Sequence, residues 1–452
     1  MPYKIGMVGL GCPKNQVDAE IMLNMLREGG YEICADENKC DAIIVNTCGF
    51  IEDAKKEAIE NILELGELKK KGSLKAIIVT GCMAERYRDE VLAEMPEVDA
   101  VVGIGSNKNI CGIVKAALEG CPYSEFADKG ELMLNGGRMA TQGGFSQYIK
   151  IADGCDNCCT YCAIPMIRGR YRSRKIEDIV AEANVLVNAG AKELVLIAQD
   201  TTRYGEDIYG SLMLPKLLDE LCEIEDLRWI RILYTYPDKI TDELLDTMAR
   251  QQKVLNYLDI PLQHASRNIL KAMNRTGDKD SLLALIKKIR QKLPDVVIRT
   301  TLIVGFPGET EEDFDTLGEF VKAAKFDRMG SFIYSPEEGT PAADFDNQID
   351  DETKRRRQEI IMTLQETVND ELVQRRLDTE MQVLVEGYDR LNKCYYGRTY
   401  ADAPDIDGKV FFMSPDKQYS AGDMVNVRIY DLIGYDLLGE PVRQRLILKG
   451  FD

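Results

Sequence analysis

Histidine and tryptophan each occur once in 452 residues, as His264 and Trp229. A single imidazole excludes the two-histidine zinc helix and every histidine-rich metal centre. Long apolar runs are missing too: stretches such as AIIVT at 76–80 and TLIVGF at 301–306 fall far short of the roughly 18 residues that a membrane helix needs. The opening MPYKIGMVGLGC has no basic region followed by a long apolar stretch and a small-residue cleavage site, so a cytoplasmic protein with no membrane partner is expected. Positive charge is scarce, with 57 Lys and Arg against 76 Asp and Glu and a net charge of −19. Such a chain is repelled by a phosphate backbone unless a local basic patch draws it in, and nucleic acid is not the expected substrate. The balance of 45% hydrophobic and 29% charged residues excludes disorder and collagen-like repeats, and the length accommodates about three domains.

Cysteine is plentiful: there are 13. In a large chain without a secretion signal, clustered thiols read as metal or redox sites rather than as disulfide staples.

The pattern along the chain is α/β. Over residues 1–125 short strands (YKIGMVGL, DAIIVN, KAIIVT) alternate with helices at about 16–29 and 52–70, which predicts an open parallel βαβ domain. A Gly-rich stretch, LNGGRMATQGG at 134–144, places a linker over 126–145. From 146 to 375 a second series begins, with strands at YIKIA (148–152), ELVLIA (193–198), RWIRIL (228–233), YLDIP (257–261), VIRTTLIVG (297–305) and GSFIYS (330–335). Six repeats predict a partial (β/α)6 barrel, shorter than the eight-unit form, followed by a charged helix at about 350–374. Over 376–452 the strands MQVLVEGYD, YYGRTY, KVFFM, MVNVRIY and RLILK predict a small antiparallel β-barrel of OB-like size. Residues 381–452 carry a net charge of −2, whereas an RNA-binding barrel is expected to be basic.

The strongest signal is GCDNCCTYCAIP, where Cys155, Cys159 and Cys162 have C-x3-C-x2-C spacing just after the first barrel strand. Three thiolates hold three irons of a 4Fe-4S cluster and leave the fourth open to a small molecule. The competing assignment adds Cys158 to make two C-x2-C pairs for structural zinc; zinc ribbons, however, put a dozen or more residues between their pairs. Cys158 then has no assigned role. A second set is set by placement rather than by local spacing. Cys12, Cys48 and Cys82 each follow an apolar strand within about three residues, in GLGC, VNTC and VTGC. In a parallel sheet the C-terminal strand ends share one edge, where ligands bind, so these three thiols also imply a cluster with one open iron. The alternative is that they pack as small hydrophobes, as expected for Cys34, Cys40, Cys111, Cys121, Cys222 and Cys394.

The order of these parts, with the motifs GLGCPKN, NTCGFI, GCDNCCTYCAIP, IPLQHAS, IVGFPGET and YSPEEGTPA, resembles the methylthiotransferase family of radical S-adenosylmethionine enzymes over essentially the whole chain. The resemblance implies two 4Fe-4S clusters, the barrel one generating a radical from S-adenosylmethionine and the amino-terminal one holding the sulfur that is delivered. It implies a second use of S-adenosylmethionine as methyl donor, an electron donor of the flavodoxin or ferredoxin kind, and a C-terminal TRAM domain. The stretch EGYDRLNKCYYGRTYADAPDIDGKVFF resembles the branch that modifies the β-carbon of an aspartate in the small-subunit ribosomal protein at the decoding centre, rather than the branch acting on a tRNA adenosine. An acidic barrel fits a basic ribosomal protein better than a phosphate backbone.

S-adenosylmethionine is expected at the C-terminal strand ends of the barrel, which are Gln199 and Asp200 on the second strand, Gln263 and His264 on the fourth, and Gly305 to Glu309 on the fifth. His264 serves equally well as a hydrogen-bonded structural residue. Tyr234 and Tyr236 in LYTYP could provide a stacking face, while Trp229 is expected in the core. The run Arg168, Arg170, Arg172, Arg174 and Lys175 is the one feature that favours a phosphate backbone over a protein substrate; it reads alternatively as an electropositive collar around the cluster or the cofactor carboxylate. The run KRRR at 354–357 reads as a solvated helix face.

Overall fold

A computed structural model describes residues 2–49, 52–141 and 143–442. The amino-terminal sheet has six parallel strands: β1 (Lys4–Gly9), β2 (Glu32–Ile33), β3 (Ala42–Thr47), β4 (Ala76–Gly81), β5 (Ala100–Val102) and β6 (Tyr123–Glu125), in the order β2-β1-β3-β4-β5-β6. Strands β3 and β4 are buried at every position, as their unbroken AIIV runs require, because helices cover both faces. The first helix runs Pro13–Glu28, three residues earlier than the pattern suggested. Pro13 starts it well, since its fixed φ suits a first helical residue whose N–H would have no partner.

The central unit is a six-stranded sheet that curves without closing, in the order β14-β13-β12-β11-β10-β7: β7 (Ser146–Lys150), β10 (Glu193–Ile197), β11 (Trp229–Ile232), β12 (Val254–Asp259), β13 (Val297–Val304) and β14 (Arg328–Ile333). Every neighbouring pair is parallel. A separate two-stranded ribbon, β8 (Ala152–Asp153) with β9 (Arg172–Ser173), brackets the cysteine loop. An open barrel exposes edge strands, which must be covered. The helix Pro13–Glu28 packs at the β7 edge, and its Val17 and Ile21 join Tyr148, Val195, Trp229 and Tyr257 in a cluster that fills the barrel interior.

The C-terminal unit is a closed five-stranded barrel of β15 (Glu380–Asp389), β16 (Cys394–Arg398), β17 (Val410–Phe412), β18 (Met424–Ile433) and β19 (Asp436–Pro441). All its pairs are antiparallel except β17–β19, which is parallel. Strand β19 had no counterpart in the sequence pattern, and the expected strand RLILK at 445–449 lies outside the described residues. Among the described residues no helix is long and apolar enough to cross a membrane.

Two expectations are corrected, those for the two basic runs, and the acidic turn DAPDID (402–407) adds a docking contact. It exposes Asp405 and Ile406, while Ala401 and Ala403 join the interior cluster of the central barrel. Asp402 pairs with Arg328 at 2.8 Å, and Asp407 accepts from the Tyr257 hydroxyl at 2.7 Å. The KRRR run is half buried, because Arg357 pairs with Glu309 at 2.9 Å and with Glu311 at 2.7 Å, and Lys354 is buried against Gly305. The basic run from Arg168 is not a collar either. Arg168 and Arg174 are buried in ion pairs, whereas Arg170, beside Asp156, and Lys175 are exposed.

Candidate functional site

The loops after β1, β3 and β4 leave the same edge of the parallel sheet, and this brings Cys12, Cys48 and Cys82 together. Cys12 is the N-cap of the first helix. The backbone of Gly11 lies so close to Cys48 that a Cβ there would stand 2.7 Å from the Cys48 Cβ, and its φ of +95° is one a larger residue adopts only with strain,. Cys82 opens the helix that follows β4. Asn15 ties the three loops: its amide donates to Leu10 O at 3.2 Å and Thr47 O at 2.9 Å, and its Oδ1 stands 3.5 Å from Cys82 Sγ. Burial pushes the Cys82 thiol up to about 12, against the pull of Arg168.

The second set follows β8. Gly154, at φ +78°, lets the chain turn against Arg170, whose carbonyl oxygen would lie 2.0 Å from any Cβ. The Cys155 amide N–H donates to Gly169 O and the Cys162 amide N–H to Cys159 O, which fixes the loop. Arg275 Nη1 points at Cys159 Sγ at 3.7 Å, and its guanidinium lies 4.2 Å from the Tyr236 ring centre. Burial pushes Cys155 up to about 11 and Cys162 up to about 12. Cys158 is exposed and at φ +49°, and its carbonyl accepts from Asn274 at 3.0 Å.

The two sets are adjacent. Cys82 packs against Ala163 and Ile167, and Ala163 directly follows Cys162. Between them runs a buried ion network. Arg168 donates to Asp153 Oδ2 at 2.7 Å, to Asp18 Oδ2 at 3.0 Å and to Asn15 Oδ1, with Nη2 3.8 Å from Cys82 Sγ. Lys150 pairs with Asp153 at 2.8 Å and with Asp18. Arg168 and Lys150 hold the Asp153 carboxyl well below its ordinary range although burial pushes it up. Asp153 also accepts from the Gln199 amide at 3.2 Å. It therefore links the amino-terminal set to the barrel mouth.

Among the described residues none of the thirteen cysteines is in a disulfide. Among the described residues no three His, Cys, Asp or Glu side chains converge on a single metal position. A cubane does not ask them to, since each thiolate binds its own iron. The donor set, three thiols in each group and beside a guanidinium, fits such clusters.

The expected cofactor residues separate into two groups. Gln199 and Gln263 sit at the strand ends with buried Oε1 atoms that have no hydrogen-bond partner, and Gln263 is held at φ +71°. Both fit a polar ligand, since buried acceptors without partners are costly and strained backbone gathers at working sites. Asp200 accepts from Asn157 of the cysteine loop at 3.0 Å and from Thr202 at 2.6 Å. His264 and Glu309 are buried side by side, with His264 Nε2 3.5 Å from Glu309 Oε2. Glu309 is already occupied by the Gly305 N–H at 2.9 Å and by Arg357, and His264 Nδ1 accepts from the Ser266 N–H at 2.9 Å. This pair braces the GFPGE turn from behind.

Sequence reasoning missed Lys14, Asn15, Asp153 and Arg275. The first two stand inside GLGCPKN and Asp153 two residues before Cys155, so adjacency to a cysteine motif was the available signal. Lys14 is buried, its Nζ lies 3.0 Å from the Tyr234 ring centre, and burial lowers its ammonium to about 8.

Comparison with known proteins agrees with this layout. Residues 4–103 match the model described as uncharacterized protein family UPF0004, residues 149–321 the radical SAM superfamily and residues 379–442 the TRAM domain. Ribosomal protein uS12 methylthiotransferases RimO are similar over nearly the whole chain. The protein of Acetivibrio thermocellus is 46% identical over 98% of this chain and 99% of its own. That of Clostridioides difficile is 48% identical over 97% and 98%. Among solved structures, the radical S-adenosylmethionine methyltransferase TsrM of Kitasatospora setae is similar in fold, with a TM-score of 0.57 and 14% identity over 75% of each chain. The cobalamin-dependent S-adenosylmethionine radical enzyme OxsB aligns with a TM-score of 0.52 and 12% identity over 80% of this chain and 56% of its own.

Proposed function

The chain belongs to the family of ribosomal protein uS12 methylthiotransferases, and from that premise we propose how its own residues divide the work. It is a radical S-adenosylmethionine enzyme that transfers a methylthio group to uS12. Cys155, Cys159 and Cys162 hold one 4Fe-4S cluster at the barrel mouth, and Cys12, Cys48 and Cys82 hold a second at the edge of the amino-terminal sheet. When bound, the clusters and S-adenosylmethionine supply a 5′-deoxyadenosyl radical and a sulfur to be methylated and delivered to the β-carbon of an aspartate. An unactivated C–H bond needs both a hydrogen abstraction and a sulfur source, so the two sets must face one substrate carbon.

The observation that carries this reading is the contact of Cys82 with Ala163, next to Cys162, over the shared network of Arg168 and Asp153. It supports two three-thiol sites that act on one substrate. Gln199 and Gln263 offer their unpaired amide oxygens to the donors of S-adenosylmethionine, and Arg275 and Arg168 each stabilise the thiolate form of the cysteine they face. Electrons come from a flavodoxin- or ferredoxin-type donor, and the enzyme works in the cytoplasm on uS12. The test is an anaerobic assay of iron- and sulfide-reconstituted protein with S-adenosylmethionine and reductant, offering uS12 and tRNA in separate tubes and read by mass spectrometry. A methylthio increment on an aspartate of uS12 is expected. An increment on tRNA adenosine, or none on either, refutes the assignment.

A further inference from the structure

Lys14 contradicts its surroundings in three ways. It is the second residue of the helix Pro13–Glu28, where the exposed N–H groups of the first turn repel a cation. It is only 6% exposed, and a buried ammonium is costly unless it is paired. Yet among the described residues no carboxylate stands within ion-pair distance of its Nζ, which lies instead 3.0 Å from the centre of the Tyr234 ring. The carboxylates in its field, Asp259 and Asp153, are committed elsewhere. Asp259 accepts from the Tyr234 N–H at 3.1 Å and faces Arg299. Asp153 serves Lys150, Arg168, Gln199 and the Gly154 N–H.

An ammonium has three N–H donors, and a ring face can occupy only one direction. Tyr234, beneath it, is held at φ +61° where β11 ends, a strained backbone of the sort that marks sites of function. Lys14 stands two residues after Cys12 and next to Asn15, whose Oδ1 faces Cys82 and accepts from Arg168, while Tyr234 beneath it belongs to the barrel mouth, its carbonyl accepting from the Thr201 N–H at 3.0 Å; the ammonium therefore lies where the amino-terminal thiols meet the barrel.

We propose that Lys14, seated on Tyr234, is the substrate-binding residue that takes the side-chain carboxylate of the target aspartate, an inference that rests on the functional reading above. The carboxylate is one bond from the β-carbon, so a fixed cation there fixes the reacting carbon. It also gives the site a reason to prefer aspartate over its neutral isostere.

The test uses the full-length, reconstituted protein and two fluorescent peptides of the uS12 target loop, one with the aspartate and one with asparagine in its place, with binding read by anisotropy. Wild type should bind the aspartate peptide roughly tenfold or more tightly than the asparagine peptide, as a site built around one charge does. Lys14→Met and Lys14→Gln should bring the two affinities to within about twofold, while Lys14→Arg keeps part of the preference. Removing an unpaired buried cation should leave the melting temperature of Lys14→Met equal to or above that of wild type, with the iron content unchanged.

An unaltered aspartate preference in Lys14→Met overturns the proposal, as does a wild type that shows no preference. Loss of iron from all three variants also overturns it, since Lys14 would then serve the cluster. If wild type places no methylthio group on uS12 at all, the functional reading fails and takes this inference with it, an outcome separate from the peptide comparison.

Discussion

The six cysteines are chemically alike but their surroundings differ, and this decides what each removal does. Cys159 is buried and faced by the Arg275 guanidinium, at the centre of a loop whose other two thiols are each pushed up by burial. A cubane deprived of one of three protein ligands does not keep its open iron in place. Cys159→Ala should therefore abolish S-adenosylmethionine cleavage, measured as 5′-deoxyadenosine by chromatography. Cys48 lies across the interface, against Gly11, and its loss leaves the barrel loop intact. Cys48→Ala should keep part of the cleavage and lose the methylthio product, so equal cleavage by Cys159→Ala and wild type would refute the division of roles.

At the scale of elements, the helix Asp351–Val373 is a brace for the fifth strand end. Arg357 reaches from it to Glu309 Oε1 at 2.9 Å and to the Glu309 carbonyl at 3.1 Å, and Glu309 in turn holds the Gly305 and Phe306 N–H groups. Arg357→Ala strands a buried carboxylate, which should cost about 3–5 kcal/mol in urea unfolding. It should also weaken S-adenosylmethionine binding, because the GFPGE turn loses its support; a loss under about 1 kcal/mol would show that the pair is dispensable. This helix shows where sequence reading stops. Its existence and ends were legible from its charge pattern, and the structure caps it with Asp350, whose side chain accepts from the Thr353 N–H. Which side of KRRR is buried was not, since that depends on a turn some 45 residues earlier in the chain. The strands AIIVNT and AIIVTG were legible because burial on both faces leaves no other pattern. Placing three thiols at their ends followed from the parallel topology alone. Asn15, Asp153 and Lys14 were not, for polar residues reveal a buried role only through their partners, and theirs are distant in sequence: Thr47 and Cys82 for Asn15, Arg168 and Gln199 for Asp153, Tyr234 for Lys14.

The three units are fastened to one another by buried ions rather than by linkers. Arg138, from the stretch expected to be a linker, joins Glu20 of the first helix to Glu182 of the central unit. At the opposite end Glu193, the first residue of β10, accepts from Arg398 of the C-terminal barrel at 2.6 Å and from Arg231 at 2.9 Å. Those two guanidiniums hold the Glu193 carboxyl down to about 2, from an ordinary 4.5, although burial alone would raise it. A folded-state value below the unfolded one means stability that is complete above about pH 4.5 and is lost as the pH falls toward 2. The difference corresponds to about 3 kcal/mol, of which about 2 should be gone at pH 3. Asp402, also held low by Arg328 and Arg376, works in the same direction on the same interface, so the slope must be assigned by variant. Glu193→Gln keeps the shape and removes the titration. The urea-unfolding difference between wild type and Glu193→Gln should therefore be largest near pH 6 and shrink by about 2 kcal/mol at pH 3. A difference that stays constant across that range would mean that Glu193 is not what makes the docking of the C-terminal barrel sensitive to acid.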